Sequence, residues 1–169
     1  MFHEQKKENI MPFEKTEQFT LTLGVTPGYF HKTEEGPGDK LLLLNRLMRL
    51  NLSKDVLSAL RKVPKENLAL RQVVETAMQF GEELFQEMGL FPSFVATPGL
   101  AGYREEWGCP PGGEFVVTLS AQRNPKFEAD PVLYERAWIK LAELLKEKFQ
   151  QTTIRLVRQE VDLLYMTSK

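Results

Sequence analysis

The order in which two hydrophobic periods follow one another constrains this chain more than any single motif. Phe19, Leu21, Leu23 and Val25 alternate with Gln18, Thr20, Thr22 and Gly24, the period-2 pattern of a strand with one buried face. After Pro64 the period changes. Leu70, Val73, Val74, Ala77, Met78, Gly81, Leu84, Phe85 and Met88 recur at three- and four-residue spacing up to Gly89, which predicts a long amphipathic helix. Gly81 falls on its apolar stripe and predicts close packing against the sheet or another helix.

Phe94 to Thr97 follows Pro92 as a short apolar strand, and Gly99, Gly102, Gly108, Pro110, Pro111, Gly112 and Gly113 punctuate the loop after it. Phe115, Val117, Leu119 and Ala121 then alternate with Glu114, Thr118, Ser120 and Gln122, making a long-looped hairpin with the preceding strand. Asp130 before Pro131 is an N-cap followed by a first helical residue, and Tyr134, Ala137, Trp138, Leu141, Leu145 and Phe149 form the next helical stripe. Ile154 to Tyr165 is strand-like. Its apolar phase changes parity near Arg158 to Glu160, which predicts a bulge or bend.

This element order resembles that of ferredoxin-like βαββαβ domains: an α+β fold with an antiparallel sheet and, here, a helical insertion after the first strand. The insertion spans residues 39–65, where Leu41, Leu44, Leu47 and Met48 begin one short helix and Ser53 caps a second. Residues 1–15 read as a flexible arm and 16–169 as one domain. With 169 residues the chain is long enough to bury roughly 70% of its unfolded surface without staples.

Twenty-two Lys and Arg against 23 Asp and Glu exclude a global electrostatic pull toward nucleic acid or anionic lipid. Charge is nonetheless segregated. The stretch from Asp39 to Lys65 carries seven cations against two aspartates, and that from Glu66 to Cys109 carries two against seven glutamates. Arg46, Arg49, Arg61 and Lys62 are therefore the candidate residues for a nucleic-acid or partner-binding surface, with packing against an acidic helix as the plainer role. No cofactor is called for: Gly36-Pro37-Gly38 lacks the Lys-Ser/Thr of a phosphate loop and the spacing of a dinucleotide fingerprint. One cysteine, Cys109, and two histidines, His3 and His31, are too few for a Cys/His metal cage, so no metal site is expected. The opening residues have no apolar signal core and no run is long enough to span a membrane, so a cytoplasmic protein without membrane contact is expected.

Tyr103, Arg104, Glu105, Glu106 and Trp107 form the densest polar-aromatic cluster in the chain, able to grip a planar or cationic ligand. His31, Tyr103, Arg104, Glu106 and Trp107 are the candidate ligand-binding residues. Cys109 would need a base for nucleophilic work, and His31 is the histidine to supply it. Because no nucleophile, base and metal set converges, the leading expectation is a non-catalytic binding or assembly module, homo-oligomeric, taking a small ligand or a protein partner. The alternatives are a cofactor-free ferredoxin-like enzyme using the Tyr103–Trp107 loop, and nucleic-acid binding through the insertion.

Overall fold

The computed structural model describes residues 13–25, 65–164 and 166. The insertion 39–65, except Lys65 itself, lies outside these residues, as do His31, Arg46, Arg49, Arg61 and Lys62. The described elements are β1 (Glu14–Gly24), α1 (Lys65–Met88), β2 (Val95–Ala101), a 3-10 turn (Glu105–Trp107), β3 (Glu114–Gln122), α2 (Pro131–Lys148) and β4 (Arg155–Leu163). They build one four-stranded antiparallel sheet in the order β2-β3-β1-β4, so the expected α+β, βαββαβ arrangement is the observed one.

The alternation in β1 does what its period predicts. Phe19, Leu21 and Leu23 turn to one face and are buried with Val117 and Leu119 of β3. Both helices cover that face. Val73, Ala77 and Leu84 descend from α1, and Tyr134, Ala137, Trp138, Leu141 and Leu145 from α2. Phe19 lies between two rings of α2, edge-on to Tyr134 at 5.6 Å and stacked on Trp138 at 5.9 Å, which fixes the helix over the central strand. Asp130 caps α2 as expected, its carboxylate accepting from the backbone N–H groups of Val132 and Leu133 at 2.9 and 3.1 Å.

Gly81 is a close-approach glycine, but its neighbour is neither sheet nor helix. A Cβ there would stand 2.7 Å from the ring of Phe91, in the segment that leaves α1. Met78 and Phe85, counted on the helix stripe from sequence, are about half exposed. The buried line runs through Val73, Ala77, Gly81 and Leu84, one residue to the side.

The last strand corrects the expected bulge. The β1–β4 register runs without interruption from Glu14 opposite Leu163 to Thr22 opposite Arg155, straight through Arg158 to Glu160. The parity change has a different cause. Leu156 faces the helices opposite Leu21, but the later positions on that side, Arg158 and Glu160, take ionic partners: Arg158 bonds Glu135 of α2 at 2.6 Å and Glu160 bonds Lys15 at 2.9 Å. Val157, Val161 and Leu163 fall on the opposite face of an unbent strand. The same pairing carries β1 back to Glu14, four residues before the predicted start.

Candidate functional site

With one face of the sheet covered by helices, the other face and the strand ends carry the polar side chains that the described strands place outside the core. The register puts Thr20 opposite Ser120 and Val157, and Thr22 opposite Thr118 and Arg155, so this second face is a mixed hydroxyl and aliphatic surface. The Thr22 and Thr118 hydroxyls are 3.3 Å apart. Arg155 belongs to this face by register, whereas Arg158 and Arg123 do not. Arg123 is buried at 7% exposure, where its Nε donates to Glu17 at 2.7 Å and its Nη1 to the Glu128 carbonyl at 2.8 Å.

The loop joining β2 to β3 carries the expected cluster. Arg104 donates to Glu106 at 2.6 Å, and its guanidinium lies 5.9 Å from the centre of the Trp107 ring, so three of the candidate residues are brought together. The Trp107 backbone N–H bonds the Arg104 carbonyl at 3.0 Å, which closes the turn beneath the indole. Trp107 remains 68% exposed.

Tyr103 points elsewhere, toward a residue that sequence reasoning passed over. Its hydroxyl donates to Oε2 of Glu114, the first residue of β3, at 2.8 Å. Glu114 pairs in register with Ala101, and Tyr103 is two residues further on, so both side chains leave the sheet on the same side. Burial first, then the hydrogen bond to Glu114 and the charge of that carboxylate, push the Tyr103 phenol up to about 12. It is a proton donor, and not a phenolate, throughout the neutral range. The signal that could have found Glu114 is its parity with Tyr103 across the hairpin, which depends on knowing the register.

Behind Glu114 lies Gly24, the last residue of β1. A Cβ at Gly24 would collide with Oε1 of Glu114 and stand 2.7 Å from Oε1 of Gln151. Bare backbone is thus what lets the carboxylate settle at the end of the sheet. Cys109 is half-buried with its thiol directed to the Pro110 and Ala101 carbonyls at 3.6 and 4.0 Å. The described residues give it no base.

Two hollows of about 460 Å³ each form elsewhere among the described residues. One lies between the end of α1 and the start of α2, lined by Phe85, Leu90, Phe91 and Phe127. The other runs beside α2, lined by Lys140, Leu144, Gln150 and Gln151. Neither takes in Tyr103 or Trp107. No helix among the described residues is long and apolar enough to cross a membrane.

Fold and strand-end chemistry together define a ferredoxin-like α+β domain that presents aromatic rings and carboxylates on one loop and the strand beside it. The chain belongs to the SAM lyase family, whose model matches residues 14–167, from the first residue of β1 to beyond the end of β4. Among curated proteins and among solved structures nothing matches. Membership in a family described as lyases overturns the expectation of a non-catalytic binding or assembly module, and the enzyme alternative fits the finding better. The expectation erred because it looked for a nucleophile, a base and a metal, a set that not every bond cleavage requires.

Proposed function

We propose that this protein is a lyase acting on SAM, S-adenosylmethionine, with the Tyr103–Trp107 loop as part of the surface that holds the substrate. The observation that carries the reading is the family match across every described strand and helix. The site's chemistry supports it. SAM combines a flat purine with a net positive charge, and the loop with the start of β3 offers two aromatic rings and one arginine against Glu105, Glu106 and Glu114. An indole whose one side is occupied by the Arg104 guanidinium is held in orientation and can stack a planar base or a cation on the other.

The reaction class fits a site without a catalytic triad. A sulfonium carries its own leaving group: the carbon–sulfur bond breaks, its electron pair stays on sulfur, and a neutral thioether departs. The electrons that satisfy the carbon come from within the same substrate, so neither water nor a redox partner enters the balance. The positive charge on sulfur and the negative charge of the group within the substrate that supplies the electrons cancel along the way, and surroundings that exclude water favour that neutralisation.

We also propose a homo-oligomer. The sheet face bearing Thr20, Thr22, Thr118 and Ser120 has hydroxyls suited to hydrogen bonding with a second copy. Sedimentation gives the mass directly, and a monomer at the concentration where activity is measured contradicts this part. For the lyase itself, the purified protein is incubated with SAM and the thioether product is followed by chromatography and mass.

A further inference from the structure

Glu114 differs from the carboxylates that hold ion pairs among the described residues. Glu17, Glu106, Glu135 and Glu160 each sit on an arginine or lysine. Glu105 is exposed on the turn. Glu114 is half-buried, held by the Tyr103 hydroxyl on one oxygen while the other occupies the space that a side chain at Gly24 would fill, and among the described residues no cation stands within ion-pair distance of it. Withdrawing a carboxylate partly from water has a cost, and a neutral hydroxyl returns less of it than a cation would. Tyr103 uses one of the roughly four lone-pair positions on the carboxylate.

Resting on the SAM lyase reading, we infer that Glu114 is the residue that recognises positive charge on the substrate, with Tyr103 and Gly24 as its positioning residues. A cation beside Glu114 supplies the partner that the protein withholds. SAM offers two such groups, the sulfonium and the amino-acid ammonium, and both present the same demand for a fixed negative charge. A carboxylate attracts the substrate at least as strongly before the bond breaks as during it: the ammonium keeps its charge and the sulfonium loses it. Glu114 therefore lowers KM without raising kcat.

The test measures steady-state kinetics of the full chain with SAM, for the wild type, Glu114→Gln and Gly24→Ala. It adds equilibrium binding of SAM, of S-adenosylhomocysteine, which lacks the sulfonium charge, and of the 2-oxo analogue, which lacks the amino group. Glu114→Gln is expected to raise KM by roughly ten- to a hundredfold with kcat kept, the range of a lost charge-assisted hydrogen bond. The penalty should vanish for whichever analogue lacks the group that Glu114 reads, and so assign it. Gly24→Ala, which displaces the carboxylate, should raise KM in the same direction and add little on top of Glu114→Gln. If the glutamine variant does not fold by circular dichroism, Gly24→Ala carries the test alone, through its KM and its selectivity between SAM and the two analogues.

A fall in kcat with KM unchanged, or an equal loss for all three ligands, overturns the inference. A wild type that consumes SAM while both variants match it overturns the inference and leaves the lyase reading standing. A wild type that neither binds nor consumes SAM overturns both.

Discussion

The Tyr103 hydroxyl and the Glu114 carboxylate meet at 2.8 Å across the β2–β3 hairpin, tying the aromatic loop to the first residue of a central strand. One side chain of the loop is thereby anchored to the sheet.

That contact has a titration signature. The Tyr103 phenol is pushed up to about 12 from its ordinary 10, first by burial and then by Glu114. Protonation is thus favoured in the folded state, and the stabilisation it gives is complete below pH 10 and lost as pH rises toward 12. The difference in tyrosinate absorbance between wild type and Tyr103→Phe should show a transition near 12, and Glu114→Gln should move it back toward 10. A wild-type transition at 10 would show that the hydroxyl is not held.

Arg123 and Glu17 make a contrasting pair, structural and far from the aromatic loop in sequence. Arg123 is 7% exposed and held by Glu17 at 2.7 Å and the Glu128 carbonyl at 2.8 Å, while the Thr16 hydroxyl donates to the Arg123 backbone carbonyl at 2.6 Å. Removing one member of a buried pair strands the other charge, at about 3–5 kcal/mol in a fully closed site. Glu17 keeps some contact with water, so Glu17→Ala should lower the unfolding free energy by about 2–3 kcal/mol in urea melts. A change below about 0.5 kcal/mol would mean that water replaces the carboxylate without cost.

Trp107 should divide stability from binding. At 68% exposure it contributes little to the core, so Trp107→Ala should leave the urea midpoint within error of wild type. Loss of a stacking platform should instead raise KM for SAM by roughly five- to fiftyfold, the equivalent of about 1–2 kcal/mol. An unchanged KM would remove the indole from the substrate surface.

Two-period reading finds β1, β3 and both described helices because each buries an apolar stripe in the core, and the alternation Phe19-Leu21-Leu23 survives in the structure residue for residue. It misreads β4 because that strand's helix-facing side turns from Leu156 to Arg158 and Glu160, where ion pairs replace apolar packing. The aromatic cluster is legible as composition, and Arg104, Glu106 and Trp107 do come together. Glu114 is not, since in a strand pattern it is simply the polar residue before Phe115. Its partnership with Tyr103 arises from the hairpin register, and its fit against Gly24 from the approach of a third segment, neither of which a local window contains. The reaction class is hidden for a chemical reason: a substrate that carries its own leaving group asks for orientation and charge recognition, which leave no compact motif.

The measurement closest to the central claim is incubation of the purified full chain with SAM, followed by separation of the products and their masses. The family assignment and the strand-end site predict that SAM disappears catalytically, over many turnovers, while a neutral thioether accumulates in equal amount. SAM left intact, or converted only by transfer of its methyl group to an acceptor, would contradict the lyase reading.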